Sequence, residues 1–357
     1  MRALNIRRGT AAAVCGLFAL AASSTSSFAQ TAAAQNGKGA VLGTGAVTTF
    51  VENMDRTLAF YHDAFGMEVP PLPASGARPY NPSNAQLYAM FDIPGAKERH
   101  QSARLQGTDV RLEVMEVQNV PHSTIPLRVQ DPGSLMLVFV VRDAARVLES
   151  ARKAHAEVAT PGGKPVKLAD GSQSVLIKDV DGRFIELRQP ATLPADAKGA
   201  DITAMRISIA VDDMTKTLGV YRDVLGLAVE GDENLGGDAH LRALTGLKKA
   251  QFRRSVVRGP GMSVPIELVE YGGVDRKPLV MKIQDRGAAR MQVRADDVEA
   301  LVAKMRDAGL HVVSKGGGAV PIPPNFMGAL VADPNDFFLT VIAPCDGCAP
   351  RLVSESH

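Results

Sequence analysis

Cys345 and Cys348 form a short motif whose spacing by itself suggests chemistry. Cysteines separated by two residues are found in redox pairs, in halves of zinc sites and in short-loop disulfides. A redox pair needs a thiol activated at the start of a helix, whereas this pair follows Pro344 in a predicted loop. One pair of cysteines is also too few for a structural zinc site. In an exported protein we expect the pair to form a disulfide.

The beginning of the chain has the layout of a secretory signal peptide, predicted at residues 1–29. Arg2, Arg7 and Arg8 precede an apolar run, and small residues lead to the predicted cleavage after Ala29. The apolar run is too short to span a membrane, which needs about 20 residues. We therefore expect a periplasmic or secreted protein with no membrane association after processing. The adjacent arginines leave both general secretion and twin-arginine export open.

The histidines of the chain are not spaced as metal ligands. His100 lies near a predicted strand, His122 lies in a predicted loop, and His62 lies on the predicted surface of a helix. None of these three forms a pair with ligand spacing on one face. We therefore interpret each of them as an ordinary residue without a catalytic role.

The overall charge does not favour a polyanionic partner. Removing residues 1–29 takes away three basic residues and no acidic one, so 40 Lys and Arg become 37 against 38 Asp and Glu. Such a balance gives no strong attraction to nucleic acid or anionic lipid. The expected partner is a small-molecule substrate or ligand, and the expected oligomeric state is a monomer or a homodimer.

The chain contains an internal duplication, which must position any functional residues. The segment Asp55–Gly66 returns as Thr215–Gly226, and the segment Leu112–Glu116 returns as Ile266–Glu270. The first pair of segments is 160 residues apart and the second pair is 154 apart. The first copy therefore holds six additional residues between its two segments, and a Pro-rich loop is the place where they fit.

Each copy is predicted to contain two βαβββ modules. In the last predicted helix, Val298, Leu301 and Met305 recur at helical spacing and define one buried face. The predicted fold class is therefore α+β, with four modules paired into two domains at residues 43–190 and 201–343. The other predicted segments are a flexible leader at 30–42, a linker at 191–200 and a C-terminal tail at 344–357.

These modules resemble the vicinal oxygen chelate superfamily, which includes glyoxalase I, extradiol dioxygenases, methylmalonyl-CoA epimerase and bleomycin-resistance proteins. The resemblance rests on the first predicted strand, the helix that follows it and Gly66 at the end of that helix. It also rests on the closing segments Lys178–Leu187 and Ala332–Thr340. It implies that two modules pair into a curved sheet around a cavity. In that cavity, His from the first strands and Glu from the last strands hold a divalent metal.

Carried over by register, the resemblance places few metal ligands in the cavities. The histidine positions are Ala46 and Met136 in the first copy and Arg206 and Arg290 in the second, and the acidic positions are Glu113, Glu186, Glu267 and Thr340. None of the eight positions holds a histidine. Glu113 and Glu186 could bind Mg²⁺ or Ca²⁺ weakly, but Fe²⁺ or Zn²⁺ would lack imidazole ligands. The two arginines would repel a cation.

The resemblance leaves two functions open. If Glu113 and Glu186 face each other in one cavity, they could act as general base and acid in lyase, isomerase or dioxygenase-type chemistry on a small organic molecule. The alternative is metal-free binding or sequestration of such a molecule. In the second copy, Arg206 and Arg290 beside Glu267 could grip a carboxylate or a phosphate, or could form a structural Arg–Glu–Arg network.

Two further segments are candidates for substrate contact. Tyr88, Met90 and Phe91 in the first copy, with Leu241 and Leu244 in the second, lie where relatives cover the cavity. Apolar and aromatic side chains commonly line small-molecule sites. Core packing explains the same residues equally well.

Overall fold

The computed structural model describes residues 38–345, apart from 82–84, 168–170, 196, 232–233 and 323–324. The predicted signal peptide and Cys348 lie outside the described residues. Cys345 is described and is disulfide-bonded. Within the described ranges, no helix is long and apolar enough to cross a bilayer.

The first half of the described chain contains two modules. The first consists of β1 (Val41–Phe50), α1 (Met54–Phe65), α2 (Ala85–Phe91), β2 (Lys97–Arg104) and β3 (Arg111–Gln118). The second consists of β4 (Leu135–Val141), α3 (Ala144–Lys153), β5 (Glu157–Val158), β6 (Val166–Lys167), β7 (Gln173–Lys178) and β8 (Phe184–Gln189). In the first module, an isolated bridge between Glu68 and Arg104 stands where a further strand was expected.

The second half repeats this order. The third module consists of β9 (Ile202–Val211), α4 (Met214–Leu218), a π-helical turn (Gly219–Val224), β10 (Ala228–Glu230), α5 (Ala239–Thr245), β11 (Gln251–Arg258) and β12 (Ile266–Gly272). The fourth consists of β13 (Ala289–Ala295), α6 (Val298–Asp307), β14 (His311–Val312), a 3₁₀ turn (Lys315–Gly317), β15 (Val320–Ile322), β16 (Phe326–Ala332) and β17 (Phe338–Pro344). The predicted α+β class with four modules is confirmed.

The strands form two sheets, and each sheet joins one module of the first copy to one module of the second. The first sheet has the order β14-β16-β17-β13-β1-β3-β2, with β15 beside β16. The second sheet has the order β10-β11-β12-β9-β4-β8-β7-β5, with β6 beside β7. The modules at the two ends of the chain therefore share the first sheet, and the two middle modules share the second.

This pairing corrects the assumption that the two modules of one copy enclose one cavity. Two long connections, residues 119–134 and 273–288, carry the chain from one sheet to the other in each copy. They run side by side, since the backbone N–H of Ile125 donates to the carbonyl of Arg286 at 3.0 Å. The Asp131 carboxylate also accepts a backbone N–H of the second connection at 2.9 Å. These contacts stabilise the exchange of modules between the copies.

One apolar core joins the two sheets. It includes Leu112 and Met291 on the first sheet and Leu137 and Ile207 on the second, all of them fully buried. Helices α1, α3, α4 and α6 pack against the same faces, and α1 also packs against α3. Burial of each large side chain stabilises the fold by about 1.5–3 kcal/mol. The opposite face of each sheet is left for the candidate cavities.

The four modules begin their helices in the same way. Each helix has an Asn or Asp at its N-cap whose side chain accepts a backbone N–H three residues later; the cap residues are Asn53, Asp143, Asp213 and Asp297. Such a cap is worth about 1 kcal/mol because it satisfies an N–H that has no partner within the helix. The repeated cap fixes where each helix leaves its first strand, and so fixes which residues of that strand face the cavity.

Candidate functional site

The structure distributes the eight predicted site positions over two sheets. Ala46, Glu113, Arg290 and Thr340 belong to the first sheet, and Met136, Glu186, Arg206 and Glu267 belong to the second. The expectation that Glu113 and Glu186 face each other is therefore wrong, as is the expectation that Arg206 and Arg290 share a cavity. Both errors follow from the exchange of modules between copies. Arg206 and Glu267 do lie in the same sheet.

In the first sheet, Arg290 binds the acidic residue that the resemblance assigned to a metal. Its Nη2 donates to the Glu113 carboxylate at 2.9 Å, and its Nη1 donates to the Thr340 hydroxyl at 2.9 Å. Thr48, directly opposite both Glu113 and Arg290 in the strand register, donates its hydroxyl to the same carboxylate at 2.7 Å. Burial alone would raise the pKa of Glu113, but the Arg290 charge lowers it below its usual value. Glu113 is therefore an ionised partner of Arg290.

The first cavity is filled by apolar side chains. The Arg290 guanidinium lies over the Phe91 ring, 5.3 Å from its centroid. Phe91 also contacts Phe50 edge to face, and Tyr88 and Met90 are buried in the same cluster. Tyr88 and Phe91, predicted as substrate contacts, thus pack as part of the structure that covers the charged pair.

His100 has a carboxylate partner that the sequence analysis did not identify. Its Nδ1 lies 2.9 Å from the carboxylate of Glu98, and Asn81 donates to the other oxygen of that carboxylate at 2.7 Å. The hydrogen bond to Glu98 raises the pKa of His100, and the charge of Glu113 acts in the same direction. Because alternate residues of a strand share a face, the proximity of Glu98 and His100 could have been predicted from the sequence. The function of the pair could not.

In the second sheet, Glu186 is held by an arginine that sequence analysis did not single out. Arg188 donates from Nε and Nη2 to the two oxygens of Glu186 at 2.8 and 2.9 Å, and Ser174 donates at 2.6 Å. Only 1% of Glu186 is exposed. Burial alone would raise the pKa of Glu186, but the charge and hydrogen bonds of Arg188 lower it. The carboxylate is therefore ionised and fixed in direction.

Glu267 lies between two guanidinium groups of the second sheet. Its carboxylate is 3.7 Å from Arg188 and 3.8 Å from Arg254, and 5% of the residue is exposed. Arg206 completes the group, since its charge acts on Glu267 and Glu186. Burial, and then the charge of Arg188, lowers the pKa of Arg206. Three guanidinium groups thus accompany two carboxylates on this face.

Helix α5 covers this charged face and leaves a narrow cavity. The apolar lining consists of Met136, Leu176, Leu241, Leu244, Val269 and Tyr271. In this conformation the enclosed space admits about one water molecule. His240, at the start of α5, has a buried Nδ1 that meets no hydrogen-bond partner in the described ranges. Burial lowers the pKa of His240, so the imidazole is neutral.

Neither cavity offers a donor set that fits the metal implied by the resemblance. Among the described residues, no group of three or more His, Cys, Asp or Glu is arranged to hold a metal ion. Arg290 binds the carboxylate of Glu113, and Arg188 binds that of Glu186, so a guanidinium already engages the candidate metal-binding carboxylate in each sheet. Permanent cations at those positions repel a divalent ion.

Three residues of the second cavity were missed by sequence analysis. Arg188 follows Glu186 by two residues in β8, so strand periodicity places both on one face and would have identified it. His240 precedes the predicted contact Leu241, and the sequence gave no means to tell its direction. Arg254 reaches the site from β11, and only the three-dimensional pairing of strands brings it there.

Comparison with known proteins agrees with the observed modules. The family model described as Glyoxalase/Bleomycin resistance protein/Dioxygenase superfamily matches residues 43–187 and 203–330. A search of curated proteins found no match.

Solved structures share the fold at low sequence identity. Glyoxalase I from Zea mays has a TM-score of 0.53 and 15% identity, covering 85% of this chain and 92% of that chain. A single-residue mutant of the same maize enzyme gives 0.53 and 14%, covering 86% of this chain and 94% of its own. A second such mutant gives 0.54 and 15%, covering 85% and 92%. At this level of identity the likeness concerns the fold.

Proposed function

The chain belongs to the Glyoxalase/Bleomycin resistance protein/Dioxygenase superfamily, and we propose that it binds a small organic molecule in the α5-covered cavity of the second sheet without a metal ion. The observation that carries the proposal is the Arg188 fork on Glu186, at 2.8 and 2.9 Å. It places a guanidinium where a relative would need a cation, and it leaves the apolar wall of the cavity in place. Apolar walls with a few fixed polar groups are typical of small-molecule sites.

The state of the carboxylates favours binding over acid–base chemistry. A general base works best when its pKa lies near the working pH. Instead, Arg290 lowers the pKa of Glu113, and Arg188 lowers that of Glu186. The two residues also belong to different sheets, so neither is available as the acid for the other. The lyase, isomerase or dioxygenase alternative therefore has weaker support in this chain than ligand binding.

The site of action is proposed to be outside the cytoplasm. The signal-like residues 1–29 and the disulfide at Cys345 support this location. Mass spectrometry of protein recovered from the periplasm of an expressing bacterium tests it. We expect a mature chain that begins after Ala29, and recovery of the full-length chain in the cytoplasm alone would contradict the proposal.

Isothermal titration calorimetry with two probes, benzoate and benzyl alcohol, tests the binding function. We expect heat of binding for at least one probe, unchanged after dialysis against EDTA. Ser208 lies on the cavity floor, and Thr48 occupies the equivalent place in the first sheet. Ser208→Leu should therefore weaken binding, whereas the matched control Thr48→Leu should not. Absence of binding for both probes, or binding that EDTA abolishes and Zn²⁺ restores, would overturn the proposal.

A further inference from the structure

We propose that the molecule bound in the second cavity is a monocarboxylate with an apolar body, and that Arg206, Arg254 and His240 bind its carboxylate. This inference rests on the proposed binding function and adds the class of ligand and the residues that recognise it. Arg254 lines this cavity, and Arg206 lies on the same face of the sheet by strand register. The buried Nδ1 of His240 lies at the start of α5, the helix that covers that face.

Arg206 is a cation without a bonded partner among the residues that the structure describes. It lies in one row with Val138 and Glu186 across β9, β4 and β8, on the face that α5 covers. Within the described part of the chain, it makes no hydrogen bond and no ion pair within 4.0 Å. Its neighbours Glu186 and Glu267 act on it only from a greater distance. A half-buried guanidinium normally has a carboxylate or phosphate partner, because removal of its hydration is costly.

Arg254 also keeps its donors available. Its two ion-pair distances, 3.8 Å to Glu267 and 3.7 Å to Asp238, are longer than hydrogen bonds. Asp238 already accepts the backbone N–H of Leu241 as the N-cap of α5, at 3.0 Å. A ligand carboxylate between Arg254 and Arg206 would receive the hydrogen bonds that Asp238 and Glu267 do not take.

His240 supplies a neutral donor at the roof of the cavity. Its Nδ1 is buried and meets no hydrogen-bond partner in the described ranges. A buried polar atom of this kind costs about 1–3 kcal/mol unless it is satisfied. A neutral imidazole with its proton on Nδ1 can donate to a carboxylate oxygen. The charged groups around the imidazole are two acids, Glu186 and Asp238, and two bases, Arg188 and Arg254. The imidazole therefore has neighbours of both signs.

The charge of the cavity favours a single negative charge on the ligand. Arg188, Arg206 and Arg254 carry three positive charges, and Glu186 and Glu267 carry two negative charges. One carboxylate balances this excess, whereas a phosphate dianion would exceed it. Asp238 stands at the rim with 29% of its side chain exposed, and solvent there screens its charge.

The cavity wall requires an apolar body on the same ligand. Leu241 and Leu244 of α5 face Met136 and Val269 of the sheet, so any group beyond the carboxylate meets hydrocarbon. Because the space admits about one water molecule, α5 must move outward to admit the ligand. In the first sheet, the corresponding arginine, Arg290, already donates to Glu113 and Thr340.

The test is a calorimetric titration of the mature chain with benzoate, benzyl alcohol and inorganic phosphate. We expect benzoate to bind about tenfold more tightly than benzyl alcohol, and phosphate not to displace it. Arg206→Met should weaken benzoate binding about tenfold and leave benzyl alcohol binding unchanged. Arg253→Met is the matched control, because Arg253 lies on the opposite face of β11, where it donates to the Thr215 hydroxyl at 3.0 Å, and should leave both affinities unchanged. Circular dichroism of each variant verifies folding.

The outcomes separate the two proposals. Benzyl alcohol binding as tightly as benzoate, or unchanged benzoate affinity in folded Arg206→Met, would overturn the carboxylate assignment while leaving ligand binding intact. Phosphate binding in competition with benzoate would identify a general anion site and would also overturn the assignment. Failure of both aromatic probes to bind would overturn the binding function itself.

Discussion

The contrast between Arg290 and Arg206 gives a stability prediction that can be worked from the contacts. Replacing Arg290 by Met, the residue found at the equivalent position 136, leaves the Glu113 carboxylate without its cationic partner. Breaking a buried ion pair on one side costs about 3–5 kcal/mol. Glu113 keeps 19% of its side chain exposed and keeps the hydrogen bond from Thr48, which lowers the expected loss to about 2–3 kcal/mol. Arg206→Met has no such bond to lose and should change stability by less than about 0.5 kcal/mol.

Urea denaturation followed by circular dichroism at pH 7 measures both free energies of unfolding. The double variant Glu113→Gln with Arg290→Met is the control, because it removes the buried charge together with its partner. We expect it to recover part of the loss seen in Arg290→Met alone. If Arg206→Met were as destabilising as Arg290→Met, the division into a structural and a ligand-binding arginine would be refuted.

Three further predictions concern buried polar groups. Burial raises the pKa of Asp333 from its usual 3.8 to about 6, so the stability that comes from its protonated form is complete below about pH 4 and is lost as the pH rises through 6. Relative to Asp333→Asn, wild type should lose about 2 kcal/mol of unfolding free energy between pH 4 and 7, and equal pH dependence of the two urea midpoints would contradict this. Tyr221→Phe removes the hydroxyl that donates to Asp333 at 3.1 Å and should cost about 1–3 kcal/mol in the same assay, with no loss if the carboxyl is satisfied without it. Glu186→Gln should lower the free energy of unfolding by about 1–3 kcal/mol, because it weakens the bond to Arg188. It should also strengthen benzoate binding severalfold, because it removes a negative charge from the cavity. A loss of benzoate binding in calorimetry would instead show that Glu186 contacts the ligand directly.

Much of the fold could be predicted from the sequence because its signals are local. The duplication defines the order of the modules, and helical spacing defines the buried face of α6. The partner of each module could not be predicted, because the apolar pattern of a first strand does not specify which distant strand lies beside it. The long-range pairing of β1 with β13 and of β4 with β9 distinguishes the observed arrangement from pairing within a copy.

The candidate site could be predicted in part for the same reason. Register predicted inward-facing positions for Glu113 and Arg290, but their contact depends on the exchange of modules between copies. The position of Arg188 on the cavity face follows from strand periodicity, because Arg188 lies two residues after Glu186 in β8. Arg254 and His240 reach the second cavity through tertiary packing of β11 and α5, which no spacing in the sequence encodes.

The most direct test of metal-independent binding is the metal content of the mature protein. Protein dialysed against a mixture of Fe²⁺, Zn²⁺, Mn²⁺ and Ni²⁺, then against metal-free buffer, is analysed by inductively coupled plasma mass spectrometry. Because Arg188 and Arg290 hold the carboxylates that a cation would need, we expect far less than one metal ion per chain. A ratio near one ion per chain, lost in Glu186→Gln or Glu113→Gln, would contradict the account.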